Sequence, residues 1–500
     1  MILLGENRLR SFCFASLVIA LLTLSLIVAA PVHGAVASSP SGSGDPAAPV
    51  QTQVEPTLLA GYKPTGALSP AAPVMVTVGI PLQDEQSLEY LSQQISTPGS
   101  PLYRHFLSQA QVQTFLPTSE YQVALAYLEE RGLTIVSSSL DSVIIAEGTA
   151  SQVSQTMGLS IESYSNGTSS YYSASGVSPI QGAYVDVSNV TAVLLSHPPD
   201  LVTAKPVPEV IPGKSESNQT APGESYPLTD LQSVYNATSL YFKGDNGAGR
   251  TAGILDFYGD PYIAGQLKYF DQLYDVPNAP LNVIPIEAYD PGLGTAEGWA
   301  PEISLDVESA HAMAPGATID LYIANGALPL SAAIAAIVAQ DKVGDLSQSF
   351  GFPESQLSSM TASSFDLNIV LTDQFYMLGS AEGITFISST GDLGGSGGAG
   401  GPEGSVAYPS TSPYVVAVGG TTTYITFDGT AVSSSYETAW SNYGFVPDGV
   451  NYGGGTGGVS DLEPRPWYQT GLTAPEGFAQ GREVPDLSLN ANVYPGIVVV

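Results

Sequence analysis

The half of the chain after Tyr226 alternates short apolar runs with stretches that carry apolar residues at helical spacing, and this alternation constrains the fold most. The apolar runs are residues 251–255, 318–323, 384–388 and 415–418, and the helical stretches are 263–274, 331–338 and 362–379. Uninterrupted apolar runs are typical of strands buried on both faces, and helices between them provide the crossovers of a parallel sheet. The sequence therefore predicts a parallel-sheet α/β domain over residues 226–500.

A smaller domain is predicted over residues 73–197, where strand and helix periodicities are mixed. The strand-like runs are 75–80, 133–138 and 142–147, and the runs with helical spacing are 86–95 and 120–131. This mixture predicts a small α+β domain. Before it, residues 38–72 are rich in Ser, Gly, Pro and Ala and are expected to form a flexible leader. After it, residues 198–225 are Pro-rich and polar, which predicts an exposed linker with a processing site.

The first 37 residues have the three-part plan of a secretory signal peptide. Arg8 and Arg10 precede an apolar run over 12–30, and small residues follow as far as Ala37. Cleavage after Ala37 is expected, which predicts a secreted protein. The alternative is an uncleaved membrane anchor, because the run approaches the roughly 20 residues that span a bilayer. Cleavage would remove Cys13, the only cysteine, and so exclude a cysteine nucleophile and a cysteine-ligated metal.

The net charge of -33 arises from a shortage of bases, since 46 acidic residues face only 13 Lys and Arg. A chain with few bases avoids cationic self-repulsion when its carboxylates are protonated in acid. We interpret this balance as adaptation to an acidic environment, with compositional drift as the alternative. The same charge argues against nucleic-acid and anionic-membrane partners. A membrane contact is expected only if the N-terminal apolar segment is not cleaved.

Residues 299–315 predict a helix that carries a pair of carboxylates. Pro301 suits the first helical turn, Pro315 ends the element, and apolar residues at 303, 307, 310 and 314 form one buried stripe. Glu302 and Asp306 are four residues apart and share another face, where two like charges repel. One interpretation is a solvated acidic face with Glu308 as a third member. The other is an acid/base pair, because a carboxylate accepts protons in acid where a histidine is already protonated.

Asp392 is the third candidate, because an apolar run over 384–388 leads it into a glycine-rich loop. Loops of this kind present site residues in α/β sheets. A protonated Asp392 could donate a hydrogen bond to a developing oxyanion. His311 is the only histidine after the linker and lies outside any catalytic histidine motif, so we expect a structural role for it.

At these residues the sequence resembles the sedolisin family, the serine-carboxyl peptidases related to kumamolisin and tripeptidyl peptidase. The N-terminal domain is similar to that family's pro-kumamolisin-type activation domain at residues 100–107, 115–119 and 126–132. Further motifs occur in family order in the main domain, at residues 226–231, 253–259, 302–306, 349–351, 391–392, 419–421, 458–460 and 484–486.

The resemblance implies a subtilisin-like catalytic domain over 226–500 in which Glu302 is the general base, Asp306 orients it and Asp392 supplies the oxyanion-hole carboxyl. It implies polypeptide substrates, hydrolysis through a covalent serine ester, and a prodomain that inhibits the enzyme until it is cut away in acid. The expected activity is therefore that of a secreted acid endopeptidase or tripeptidyl peptidase made as a zymogen. The alternative is a non-catalytic relative that binds peptides or acts as a surface protein.

The family's nucleophilic serine lies in a Gly-Thr-Ser motif after the segment that matches residues 484–486. The single Gly-Thr-Ser of this chain ends at Ser169, in the predicted prodomain, and Ser405 and Ser460 lack the motif. We therefore expect the nucleophile beyond Val500, in a C-terminal part of the catalytic domain that is missing from this chain. Calcium is expected by resemblance only, with its ligands also beyond Val500 and no metal ligands in this chain.

Overall fold

The computed structural model describes residues 52–195, 225–278, 280–326, 328–357, 365–396, 406–429, 431–441, 453–472, 480–493 and 495–500. The predicted signal peptide at 1–37 and almost all of the predicted linker lie outside the described residues. Within the described ranges, no helix is both long enough and apolar enough to cross a membrane.

The N-terminal domain, residues 52–195, contains two four-stranded antiparallel sheets with helices, in agreement with the predicted α+β domain. One sheet has the strand order β1-β7-β6-β2 and the other β4-β5-β3-β8. The strands are β1 (Thr52–Val54), β2 (Lys63–Ala67), β3 (Pro73–Gly79), β4 (Thr134–Ser139), β5 (Val143–Thr149), β6 (Leu159–Ser165), β7 (Ser170–Ser178) and β8 (Tyr184–Asp186). The helices are α1 (Glu85–Ser96), α2 (Gln109–Val112), α3 (Thr118–Glu130), α4 (Ala150–Met157) and α5 (Val190–Leu195).

The prediction of a flexible leader over 38–72 is wrong for residues 52–72, because β1 and β2 lie there, and residues 38–51 lie outside the described residues. β2 is an edge strand whose five residues are all exposed, so it lacks the apolar alternation by which a strand is recognised. Pro64 is tolerated at such an edge, and the pairing with β6 is irregular between Pro64 and Gly66. A strand with this composition cannot be distinguished from a flexible segment by its sequence.

The main domain, residues 225–500, is built on a sheet of order β11-β12-β10-β13-β15-β17-β18. Its strands are β9 (Ser225–Pro227), β10 (Thr251–Phe257), β11 (Leu281–Pro285), β12 (Thr318–Ala324), β13 (Asp345–Gln348), β14 (Phe352–Pro353), β15 (Thr385–Ser389), β16 (Ala407–Tyr408), β17 (Val415–Asp428), β18 (Ala431–Ala439), β19 (Gly458–Pro464), β20 (Gly481–Val484), β21 (Leu487–Asn490) and β22 (Gly496–Val498). Strands β10 to β13, β15 and β17 pair in parallel, and β18 closes one edge antiparallel to β17.

Helices of the main domain connect these strands and cover the sheet. They are α6 (Asp230–Val234), α7 (Thr238–Tyr241), α8 (Ile263–Tyr274), α9 (Leu293–Ala296), α10 (Ala300–Met313), α11 (Leu330–Val338), α12 (Glu354–Leu357) and α13 (Leu371–Glu382), with a π-helical turn at Asp366–Val370. The four predicted apolar runs are β10, β12, β15 and β17, which confirms the predicted parallel sheet. The short, polar β13 and the largely exposed β11 carry no comparable apolar signal.

The strand order places a topological switch point beside β10. After β10 the chain adds β11 and β12 on one side and then β13, β15 and β17 on the other. Ligand sites of open α/β sheets lie at the carboxyl ends of the strands at such a point. The segments that follow β10, β13 and β15 therefore form the edge at which a site is expected.

Candidate active site

Helix α10 presents the predicted carboxylate pair to this edge. Pro301 lies in its first turn, where the missing amide hydrogen is tolerated. Ile303 and Val307 are fully buried as predicted, whereas Ala310 and Ala314 are only partly buried. Trp299, at the start of the helix, is 1% exposed and packs edge-on against Phe257 with ring centroids 5.1 Å apart. This packing fixes the first turn of α10 against the end of β10.

Glu302 and Asp306 are both partly buried and lie one turn apart on α10. Burial raises the pKa of Glu302 well above its usual value, and the negative charges of Asp306, Asp256 and Asp392 raise it further. Burial also raises the pKa of Asp306 to about 7, although a hydrogen bond from Ser349 opposes the increase. The two carboxyls therefore hold protons more tightly than exposed ones.

Ser349 follows β13 and donates its hydroxyl to Oδ1 of Asp306 at 2.9 Å. The other oxygen of Asp306, Oδ2, is buried and has no hydrogen-bond partner among the described residues. A hydroxyl donor favours the charged form of a carboxyl. The bond from Ser349 thus fixes one oxygen of Asp306 and leaves the other for a neighbouring carboxyl.

Asp256 belongs to the same site, although no catalytic role was predicted for it from the sequence. It is the penultimate residue of β10, is fully buried, and neither of its oxygens has a hydrogen-bond partner among the described residues. Burial and then the charge of Asp306 raise its pKa well above the usual value. A carboxylate at the carboxyl end of a predicted buried strand was the signal that could have identified it.

Asp392 is brought to the same cluster by the loop after β15. Burial raises its pKa to about 6, and its charge is one cause of the raised pKa of Glu302. The loop is anchored because the amide of Gly454 donates to the carbonyl oxygen of Asp392 at 2.8 Å and that of Thr456 to Gly391 at 2.9 Å. The structure therefore brings the three predicted site residues together and adds Asp256.

Glu308 and His311 lie away from this cluster. Glu308 is 0% exposed and its Oε2 accepts a hydrogen bond from the amide of Val500 at 3.1 Å, so the solvated acidic face is wrong for this residue. His311 is nine residues from Glu302, which places it on the opposite side of α10. Its Nε2 lies 2.9 Å from Oδ1 of Asp271, and both side chains are buried. This pairing agrees with the expected structural role.

The candidate serines are engaged elsewhere. Ser169 lies in the N-terminal domain, where its hydroxyl contacts that of Tyr62. The buried hydroxyl of Ser460 donates to Oε1 of Glu354 at 2.5 Å. Ser405 lies outside the described residues. The described part of the chain also has no group of three or more His, Cys, Asp or Glu side chains arranged to hold a metal ion, so we derive no step through calcium.

Residues 60–185 match the family model described as "Pro-kumamolisin, activation domain". The chain is 26% identical over 445 residues to sedolisin of Pseudomonas sp. (strain 101), in an alignment that covers 85% of this chain and 71% of the relative. It is 28% identical over 391 residues to kumamolisin of Bacillus sp. (strain MN-32), with 75% and 65% covered. The solved structure of Pseudomonas sedolisin has a TM-score of 0.46 at 24% identity, covering 56% of this chain and 74% of that one. The sequence similarities confirm the resemblance stated from the motifs.

Proposed function

We propose that this homologue of sedolisin and kumamolisin is a secreted, acid-active serine-type peptidase that is made as a zymogen. The observation that carries the proposal is the cluster of Glu302, Asp306, Asp256 and Asp392 at the carboxyl edge of the sheet. Burial raises the pKa of all four carboxyls, and the charges of neighbouring members add to the increase for Glu302 and Asp256. Groups perturbed in this way are typical of acid/base sites. Sedolisin and kumamolisin are homologous over most of the chain, which supports the same reaction class.

Glu302 acts as the general base in this proposal. Its carboxylate takes the proton of a serine hydroxyl as the serine oxygen bonds to the peptide carbonyl carbon. The protonated Glu302 then gives that proton to the leaving amine, and the peptide C–N bond breaks to leave a serine ester. Water hydrolyses the ester with Glu302 again as base. We place this serine beyond Val500, as the sequence analysis predicts.

Asp306 and Asp392 have different roles in the proposed reaction. Asp306 orients Glu302, and burial gives Glu302 a raised proton affinity, which makes its ionised form a stronger base. Asp392, with a pKa of about 6, carries a proton in more acidic solution. The protonated carboxyl donates a hydrogen bond to the oxyanion that develops on the substrate carbonyl. Activity should therefore require a pH below about 6.

Zymogen synthesis is supported by the match of residues 60–185 to the activation domain. We propose that this domain inhibits the peptidase intramolecularly and that the Pro-rich segment 198–225 contains the cleavage site. Secretion rests on the signal-like segment 1–37, and calcium binding remains a proposal that depends on resemblance alone.

The test uses native secreted protein, including any sequence after Val500, activated at about pH 4, where unperturbed carboxyls are half protonated. Cleavage of a denatured protein is expected, and Glu302→Gln should lower kcat at least 100-fold because the base is lost. Glu308→Gln is the matched control, since Glu308 lies on the same helix but outside the carboxyl cluster, where it accepts a hydrogen bond from the amide of Val500. Absence of cleavage, or equal loss in both variants, would contradict the proposal.

A second function, peptide binding without catalysis, is favoured by one observation. The Gly-Thr-Ser motif of residues 1–500 lies in the N-terminal domain and not in the main domain. This function predicts that the native protein binds denatured polypeptide and releases it uncleaved at acidic pH.

A further inference from the structure

The contact surface between the N-terminal domain and the main domain is apolar at its centre. Helix α1 packs on α13, and strands β4 and β5 pack on α11. Leu88 and Ile95 of α1 belong to the same buried cluster as Leu371 and Phe375 of the main domain. We refer to the α11–α13 side of this contact as the docking face.

Hydrogen bonds across the docking face have neutral donors. The amide of Leu82 donates to Oε1 of Gln374 at 2.8 Å, and that of Leu107 donates to the carbonyl oxygen of Ala381 at 2.8 Å. The ion pairs of the described residues are Arg465–Glu483 and Arg482–Asp486, and the contact between His311 and Asp271 is the remaining candidate; all three lie within the main domain. In the described part of the chain, therefore, no ion pair joins the two domains.

Carboxyl groups face one another at one end of the docking face. Burial raises the pKa of Asp373, on α13, to about 6, although hydrogen bonds from Ser412, Tyr408 and Glu463 of the main domain oppose the increase. The charge of Glu85, which is exposed on α1, adds a smaller increase. Burial and the charges of Asp366 and Glu85 raise the pKa of Tyr184, on β8, to about 12. Tyr414 of the main domain is affected in the same way by burial and by a set of carboxylates from both domains, namely Glu89, Asp373, Glu85 and Glu463. Like charges thus meet where α1 begins.

A second set of carboxyls lies at the other end of the docking face, beside a cavity of about 180 Å³ between the domains. The cavity is lined by Gln109 and Asp141 of the N-terminal domain and by Glu382 of α13, among others. The Gln109 amide donates to Asp341 at 3.2 Å and to Glu382 at 3.3 Å. Oε2 of Glu382 is buried without a hydrogen-bond partner among the described residues, and burial and then the charge of Asp341 raise its pKa to about 7.

The cations nearest in sequence do not neutralise these groups. Lys342 follows Asp341 and is exposed, and Arg104 and His105 precede the Phe106 ring that packs beside Gly383. None of these three side chains is in an ion pair with a described residue. The shortage of bases in the whole sequence is therefore also present at the docking face.

We propose that the N-terminal domain docks on the α11–α13 face without ion pairs, and that the facing carboxyls bind protons on docking, so that docking tightens as the pH falls. The sign follows from linkage, since a carboxyl with a raised pKa in the docked state favours docking below that pKa and opposes it above. The window extends from the ordinary carboxyl pKa up to about 6 for Asp373 and about 7 for Glu382. This inference rests on the proposed function, because the N-terminal domain must be released only if the protein is a zymogen. It implies that acid alone does not release the activation domain and that cleavage must come first.

Hydrogen exchange of the full chain tests this directly. Protection of the peptide amides of α1 and α13 is measured between about pH 7.5 and about pH 5 and corrected for intrinsic exchange at each pH. We expect protection to increase at least about tenfold on acidification, since one pKa unit of docking-linked shift corresponds to a factor of ten. Amides of β12, in the centre of the main sheet, report any general change in stability and serve as the internal reference.

Asp373→Asn combined with Glu382→Gln removes one carboxyl from each end and should reduce the increase by at least half on a logarithmic scale. Glu129→Gln, exposed on α3 of the N-terminal domain, is the control and should keep the full increase. A protection that falls on acidification, or a double variant that retains the full slope, would overturn the proposal. Because this experiment measures hydrogen exchange and not turnover, its result can be interpreted even if the protein is not a peptidase.

Discussion

Replacement of Asp306 by Asn should stabilise the chain at neutral pH and leave its stability unchanged in acid. The pKa of Asp306 is raised from 3.8 to about 7, a shift of about 3 units. Each unit is worth about 1.4 kcal/mol, so the carboxylate destabilises the fold by up to ~4 kcal/mol well above pH 7. The upward shift means that stability is lost as the pH rises from 3.8 to about 7. Asn is uncharged at every pH and can still accept the hydrogen bond from Ser349.

The assay is urea unfolding of the chain and its variants at about pH 7.5 and about pH 4. If the slope of the unfolding free energy against urea concentration is the same for variant and wild type, the substitution has changed only the stability. We expect Asp306→Asn to gain ~1–4 kcal/mol at the higher pH and less than ~0.5 kcal/mol at the lower. Asp245→Asn, an exposed change in the same domain, should alter neither value. A destabilised Asp306→Asn at neutral pH, or an equal effect at both pH values, would refute the reasoning.

Three further predictions concern the same site. Ser349→Ala should raise the pKa of Asp306, because the donor at 2.9 Å is lost, and NMR titration of ¹³C-labelled aspartate would show it; an unchanged or lowered pKa would contradict the assigned bond. Trp299→Ala should destabilise the protein by ~3–5 kcal/mol in urea unfolding, since this 1%-exposed side chain leaves a cavity beside Phe257, and a loss below ~1 kcal/mol would be inconsistent with the packing. In the active enzyme, Asp392→Asn should extend activity above about pH 6, because an amide donates at every pH, and an unaltered pH profile would exclude the oxyanion role.

The carboxylate pair could be predicted from the sequence because its signals are local. Two prolines bound α10, and the spacing of Ile303 and Val307 fixes which side is buried, so the face of Glu302 and Asp306 follows. Asp256 has one local signal, its position at the carboxyl end of a predicted buried strand, but that signal does not show which residues it meets. It joins the cluster because β10 is the neighbour of β13 in the sheet, and that order is set by long-range pairing.

The fold shows the same division between local and long-range information. Buried apolar strands such as β10 and β12 were recognised, but β2 was not, because an exposed edge strand has no apolar alternation. The docking face was also invisible in the sequence. The apolar side of α1 predicts a buried helix, but only the structure identifies α13 as the surface that covers it.

A serine ester formed with Glu302 as base can be trapped as an acyl-enzyme. Native secreted protein, activated at about pH 4, is mixed with a peptide ester, quenched in acid and analysed by intact mass and peptide mapping. We expect an acyl adduct on a serine outside residues 1–500 in the wild type and its loss in Glu302→Gln. Turnover without an adduct, an adduct on a residue within 1–500, or equal labelling of Glu302→Gln would contradict this expectation.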